Sequence, residues 1–333
     1  MFIGCNGQAD FFNAFSPFGK DTRPLPRRIQ TRHLSECEKP WSKYEWKIGM
    51  YVILGGTGQV GSATARALLD EGQKVTIVTR DESHGKDLEN AGAKIAVADI
   101  RDIDALRRIF QTAKRAFLLN PPADPTGDTD EEERENVAAI VSALDGSGLE
   151  KVVAASTYGA FEGQRCGDLT VLHEFERALE TQSIPAAINR AGYYMSNWAG
   201  MVDPVQANGT LPSFFPADLS IPMVAPADLG KAAARRLMSG TGDVGVEHLE
   251  GPDRYSANDV AATFAEVMAR KVKIQEVPRN ALENTFREFG FSDEAAASYA
   301  CMTRRVIDGE TMPEDEPIRG EVTLKDYLTA ILG

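Results

Sequence analysis

From about residue 50 onward, apolar positions along the chain follow two alternating rhythms. Short, almost continuously apolar runs fall near 50–55, 74–79, 94–98, 115–119, 151–156 and 186–190, the length and density of strands buried on both faces. Between them lie longer stretches with helical spacing, near 60–71, 84–91, 102–113, 131–145 and 169–182. Gly72 stands where the first of these should stop, at a position that favours a left-handed residue. Strands that alternate with helices in this way predict βαβ units and a parallel sheet covered on both faces. After Arg190 the chain becomes rich in turns, with Pro204, Gly209, Pro212, Pro216 and Pro222, and helical spacing then returns near 226–239, 256–269, 278–288 and 293–306. The fold expected is therefore α/β, a doubly wound parallel sheet over 50–190 and a smaller, mostly helical C-terminal lobe over 191–333. Part of that lobe, about 222–252, is expected to pack back on the sheet.

Residues 1–49 show neither rhythm, and Pro24, Pro26 and Pro40 interrupt them. They hold eight basic side chains (Lys20, Arg23, Arg27, Arg28, Arg32, Lys39, Lys43 and Lys47) against five acidic ones (Asp10, Asp21, Glu36, Glu38 and Glu45), although the whole chain has a net charge of -13. The segment reads as a disordered extension, or as upstream sequence if Met50 is the natural start; a targeting peptide fits poorly with its scattered acids. The overall negative charge repels phosphate backbones and anionic lipid, which sets nucleic acid and membrane aside as main partners. No run approaches the roughly 18 to 20 apolar residues of a membrane span, so a cytoplasmic protein, monomer or homodimer, is expected. Cys5, Cys37, Cys166 and Cys301 lie far apart and read as free thiols in a reducing compartment. The acidic run from Asp124 to Glu135 reads as a loop and a solvated helix start, where negative charge suits the helix dipole.

The chemistry-bearing signal is Gly55-Gly56-Thr57-Gly58-Gln59-Val60-Gly61, placed between the first strand and the first helix. Gly55 allows a tight turn, a bare Gly58 lets the backbone touch a pyrophosphate, and Gly61 lets helix and strand approach. The helix start then offers N–H groups and partial positive charge to the phosphates, with Thr57, Gln59 and Val60 beside them. This is the fingerprint of a Rossmann-type dinucleotide site. The second strand ends Thr79-Arg80-Asp81, with no carboxylate at the position that would hold a ribose 2′-hydroxyl and an arginine able to pair with a 2′-phosphate. NADP(H) is the cofactor expected, unless Arg80 is only solvated and Asp81 supplies the acid. Asp99 and Ile100 close the third strand, placed either to meet the adenine or to cap the next helix.

These residues together resemble the NmrA-like branch of the atypical short-chain dehydrogenase/reductases, including its quinone-reductase-like members. The resemblance spans about residues 50–333 and also rests on Phe117-Leu118-Leu119-Asn120-Pro121-Pro122, Val152 to Gly159, Leu172-His173-Glu174-Phe175-Glu176 and Asn189-Arg190-Ala191-Gly192-Tyr193-Tyr194. Val224-Ala225-Pro226-Ala227-Asp228-Leu229 and Leu249-Glu250-Gly251-Pro252 look like two later junctions of that family. It implies that Leu119, Asn120, Pro121, Ser156, Tyr158, Ala191 and Tyr193 line the nicotinamide half of the site. Conventional short-chain dehydrogenases use a Tyr with a Lys four residues later to move a proton; none of the eight tyrosines here has that Lys. In its place the helix carries His173 with Glu174 and Glu176, an imidazole that is either a proton donor near neutral pH or a plain surface residue. No metal site is expected. Two functions follow: an NADPH-dependent reductase of a small quinone-like or carbonyl substrate, with His173 and Tyr193 as candidate catalytic residues, or a non-catalytic NADP(H) sensor. A sugar-nucleotide epimerase is weaker, because it needs the missing Tyr–Lys base.

Overall fold

The computed structural model describes residues 50–313 and 315–332. The extension 1–49, with Cys5 and Cys37, lies outside them. Strand β1 (Met50–Ile53) leads through the glycine turn into α1 (Gln59–Asp70), and β2 (Lys74–Thr79), α2 (Lys86–Asn90) and β3 (Lys94–Val97) complete the first half of the sheet. The second half runs α3 (Ile103–Phe110), β4 (Arg115–Leu118), α4 (Thr129–Leu144), β5 (Lys151–Thr157), α5 (Asp168–Glu180) and β6 (Ala186–Ala191). The chain continues as β7 (Tyr193–Tyr194), α6 (Val202–Asn208), β8 (Thr210–Ser213), β9 (Ile221–Val224), α7 (Pro226–Met238), β10 (Gly245–Glu250) and β11 (Arg254–Tyr255). It ends with α8 (Ala257–Val267), β12 (Lys273–Glu276), α9 (Leu282–Glu288), α10 (Asp293–Ile307), β13 (Ile318–Arg319) and α11 (Leu324–Leu332).

The main sheet has the order β13-β10-β6-β5-β4-β1-β2-β3, and every pairing in it is parallel. Its direction of winding reverses between β1 and β4, which opens a crevice at the carboxyl ends of those strands. Six of the eight strands are those expected from the apolar runs. β10 and β13 were hidden, because β10 is exposed at its start and β13 is only two residues long.

Alternation along the strands sorts the core into two layers. Tyr51 and Ile53 face α1 and the Leu229, Ala233 and Leu237 stripe of α7. Val52 and Leu54 face Leu106 and Phe110 of α3, Ile140 and Leu144 of α4, and Val171 and Phe175 of α5. Each Val, Leu, Ile or Phe among them contributes about 1.5 to 3 kcal/mol by leaving water. The helices start where a side chain can take up the free N–H groups: Asp102 accepts from Ala105 at the head of α3, and Asp128 from Glu131 at the head of α4. Gly230 brings α7 onto α1, since a Cβ there would lie 2.5 Å from both the carbonyl carbon and the Cβ of Ala63.

The remaining elements form a second layer of structure around Trp198, Phe215, Phe264 and Leu324, with the small sheets β11-β9-β7 and β12-β8. An aromatic cluster of Phe214, Phe286, Phe291 and Tyr299 extends it, with Phe214 stacked on Phe286 at 4.7 Å. Two expectations are corrected here. Cys166, just before α5, is joined to Cys301 on α10 in a disulfide across 135 residues, because the fold lays α10 against the loop that leads into α5. The acidic start of α4 is also not uniformly solvated: Asp130 and Glu133 are buried, while Glu131 and Glu135 on the opposite side face water.

Candidate cofactor and substrate site

The glycine loop is built by sterics that each position states separately. Gly55 has φ +62°, a left-handed conformation that an L side chain would strain. A Cβ on Gly56 would come within 2.5 Å of the Ile77 Cβ, and one on Gly61 within 2.1 Å of the Gly55 carbonyl oxygen, so both glycines serve close packing of the loop on β2 and α1. Gly58 differs. Its Cβ would meet only the Gly55 oxygen, at 3.3 Å, and otherwise open space. It is the residue before α1, carries no side-chain cap, and no acidic residue stands in the first turn of that helix. The loop therefore presents bare backbone and uncompensated N–H groups toward open space, the cradle an anionic pyrophosphate requires. Thr57 and Gln59 flank it at the surface, and Val60 turns inward.

At the end of β2, Arg80 is exposed and, among the described residues, has no ion pair. Thr79 is buried, and its hydroxyl accepts from the Asp81 N–H at 3.2 Å. The Asp81 carboxylate accepts from the Ser83 N–H at 2.8 Å, which caps a short 3-10 turn. The acid beside Arg80 is thus engaged in the local backbone. Asp99 is exposed and accepts from the Arg101 N–H at 2.9 Å in a turn of its own, while Asp102 caps the following helix. Ile100 is half-buried beside it.

Past the crevice, Leu119 links loop and pocket: a Cβ on Gly55 would lie 3.1 Å from its Cδ2. Leu119, Asn120, Ala155, Ser156, Asp168, Leu172 and Tyr194 line one pocket at the carboxyl ends of β4 and β5. A second pocket shares Ala155 and Tyr194 and adds Val60, Phe117, Asn189, Ala191 and Leu229. Pro121, next in the chain, is half-buried. A parallel sheet places ligands in this position, outside the strand ends at the switch point.

The chain matches the NmrA-like family over residues 49–310. It belongs to that family. It is 26% identical over 322 residues to the nitrogen metabolite regulation-like protein bik4 of Gibberella fujikuroi, covering 82% of this chain and 90% of that protein. With the NAD(P)H azoreductase of Xenophilus azovorans it shares 20% identity over 225 residues, 67% of this chain and 76% of the other. Its fold is similar to that of the Citrobacter sp. triphenylmethane reductase complexed with NADP(H), with a TM-score of 0.70 at 18% identity over 85% of this chain and 99% of that one.

Within this NmrA-like site the side chains nominated from the sequence part company. Leu119, Asn120 and Ser156 meet around one pocket. The Ser156 hydroxyl donates to Glu176, and Arg190 clamps that same carboxylate with bonds of 2.8 and 2.6 Å. Tyr158 turns toward Glu250, with its hydroxyl donating at 3.4 Å, and packs edge-on to His248. Burial and the Glu250 charge push that phenol well up. Tyr193 packs edge-on against Phe215 and Trp198 in the second layer of the structure, and burial pushes its phenol up as well. Its neighbour Tyr194 takes the pocket wall.

His173 follows the pocket residue Leu172 on α5, and its buried Nδ1 has no hydrogen-bond partner among the described residues. The two acids expected to support the imidazole are otherwise occupied: Glu174 binds Arg134 at 2.9 Å, and Glu176 binds Arg190. Sequence reasoning missed Asp168 and Tyr194 in the pocket wall. Asp168 carried no signal beyond its place before an amphipathic helix, and Tyr194 was the less favoured of two adjacent tyrosines.

Proposed function

We propose that the protein is an NADP(H)-dependent oxidoreductase that reduces a small, planar, conjugated acceptor of quinone or carbonyl type. The observation that carries this reading is the bare Gly58 cradle beside a pocket walled by Leu119, Ala155, Leu172 and Tyr194. The residues fit the cofactor: the loop and the α1 N-terminus would hold the pyrophosphate, and the exposed Arg80 would take the 2′-phosphate. When bound, the nicotinamide supplies a hydride. The chain positions the acceptor against it, excludes water with the aliphatic and aromatic wall, and offers the Asn120 amide as a polar handle. The wall suits a flat ring, for which aromatic contact adds roughly 0.5 to 1.5 kcal/mol beyond burial. A relative named for azo reduction and a fold shared with a triphenylmethane dye reductase support an acceptor of extended conjugation.

The test is to mix the protein with NADPH and a panel of benzoquinones, naphthoquinones, aldehydes and ketones and to follow the nicotinamide absorbance. Consumption of NADPH that depends on a quinone supports the reading. Tight NADPH binding without oxidation across the panel rejects it and leaves a cofactor sensor, which should then change oligomeric state or partner when NADP(H) is added.

A further inference from the structure

An acceptor that takes a hydride is left with a negative charge, and in a water-poor pocket a proton must reach it from the protein. The phenols are unsuited to this. Tyr194, on the wall, is held neutral by burial with Asp168 adding to the effect, and Tyr158 and Tyr193 point elsewhere. Lys151 is buried in a different network, where it donates to the Arg236 carbonyl and to Ser239 at 2.7 and 2.8 Å.

What does reach the pocket is a carboxyl. Asp168, the first residue of α5, lines it and is hydrogen-bonded to Glu133 of α4. Both are at least nine-tenths buried, with 9% and 4% of their surface exposed. Two carboxyl groups bonded to one another in a buried place must hold a proton between them, since neither can donate when both are ionised. Glu133 also accepts from the Ala123 N–H at 3.1 Å, and Asp130 accepts from the Gly167 N–H at 3.1 Å, so the backbone fixes the cluster from both sides. An independent observation points from the same pocket to a ligand. The Asn120 side chain, 3% exposed and on the same wall, has its Oδ1 without a hydrogen-bond donor among the described residues. A buried acceptor left this way is destabilising, and a donor group on a bound molecule would satisfy it.

We propose that Glu133 and Asp168 share one proton and that Asp168 donates it to the oxygen anion of the reduced acceptor, with Asn120 orienting that acceptor through a donor group. The proposal rests on the reductase reading above. The acceptor gains two electrons and one hydrogen nucleus with the hydride. The Asp168 O–H bond then breaks, an O–H bond forms on the acceptor oxygen, and the carboxyl pair is left doubly ionised. Burial and mutual repulsion make that state costly, so a proton from solvent restores the pair and closes the cycle.

The surroundings favour a retained proton. Burial pushes Glu133 well up, with the Asp168 charge adding to it, and burial raises Asp168 too. Among the described residues, the other groups facing the pair are Asp130 on α4, an anion that acts in the same direction, and the neutral Tyr194 of β7. Among the described residues the nearby cations are engaged: Arg165 with Asp128, and Arg134 with Glu174. The rate should therefore fall as pH rises through the upper ionisation of the pair.

The experiment has two arms, both on the full chain. Infrared spectroscopy of the wild-type protein at neutral pH, without cofactor, should show the carbonyl band of a protonated carboxylic acid, and this band should vanish in Asp168→Asn and in Glu133→Gln. In the quinone assay Asp168→Asn should lower kcat by about 100-fold or more, the usual scale for losing a general acid, while calorimetric NADPH affinity stays within about twofold. Glu133→Gln should shift the alkaline limb of the kcat–pH profile to lower pH. A folded wild-type protein without the band, or an Asp168→Asn variant that turns over quinone at the wild-type rate, overturns the proposal and leaves the reductase reading standing. A wild-type protein that consumes no NADPH with any acceptor overturns both.

Discussion

Arg80 and Gly58 are the single residues at which the proposed cofactor site can be tested. Arg80 is exposed and has no ion pair among the described residues, while Asp81 beside it is engaged with the Ser83 N–H, so in the proposed site a 2′-phosphate would meet an available guanidinium and a carboxylate turned to the backbone. Arg80→Ala should therefore shrink the preference for NADPH over NADH by about 1 to 3 kcal/mol, read by calorimetry with both cofactors. Equal affinities in the parent protein would remove the assignment. Gly58→Val places a branched side chain in front of the loop, where its Cβ would meet only the Gly55 oxygen. Cofactor binding should be lost while the melting temperature changes little; retained binding in a folded variant would show that the pyrophosphate lies elsewhere. Both positions were legible in the sequence, because they are fixed within one β1-α1-β2 unit. Asp168 was not: its partner Glu133 is 35 residues away, and nothing local distinguishes it from any acid at a helix start.

Helices and strands carry a second kind of information, the approach of one element to another. Gly230 sits where α7 crosses α1, and a side chain there must displace the Ala63 backbone. Gly230→Val should cost about 1 to 3 kcal/mol by overpacking, seen as a lower urea midpoint with an unchanged slope. Gly240, just past α7, has nothing within 4 Å of where its Cβ would be, and Gly240→Ala serves as the neutral control. The helical spacing of α7 was plain in the sequence. Its partner was not, since the stripe Leu229, Ala233, Leu237 states only that some apolar surface covers it. The acidic start of α4 gives the converse case. A run of acids predicts a solvated face, yet the helix rotates Asp130 and Glu133 inward and leaves Glu131 and Glu135 in water.

Over the whole molecule, two long-range ties hold the layers together. The Cys166–Cys301 disulfide closes a loop of 135 residues between the main sheet's α5 side and α10. Its removal should cost about 2 to 4 kcal/mol. Reduction should lower the melting temperature of the parent protein and leave that of Cys301→Ser unmoved; an equal response of both would show that the bond does not form in solution. The other tie lies at the opposite end of the strands, where the buried Arg236 donates to Asp243 at 3.0 Å and to the Ile188 carbonyl at 2.9 Å. Burial alone would push the Asp243 carboxyl up, but hydrogen bonds from Ser239 and Arg236 and the charges of Arg236 and Lys151 hold it at about 2. A carboxyl lowered from its ordinary 3.8 contributes stability that is complete above that value and is lost as pH falls toward about 2. Asp243→Asn should accordingly flatten the acid limb of a melting-temperature profile between about pH 4 and pH 2, and an unchanged limb would show that other groups control it.

The sequence by itself determined the strand-helix alternation, the glycine loop and the absence of an acid at the end of β2, because each depends on residues a few positions apart and on backbone sterics. Only the tertiary structure decided that β10 and β13 extend the sheet, that Cys166 meets Cys301, that Tyr194 rather than Tyr193 walls the pocket, and that Glu133 and Asp168 lie together beneath it. Those are contacts between segments distant in the chain, and a residue's partner across such a distance is set by how whole layers pack, which no local pattern encodes.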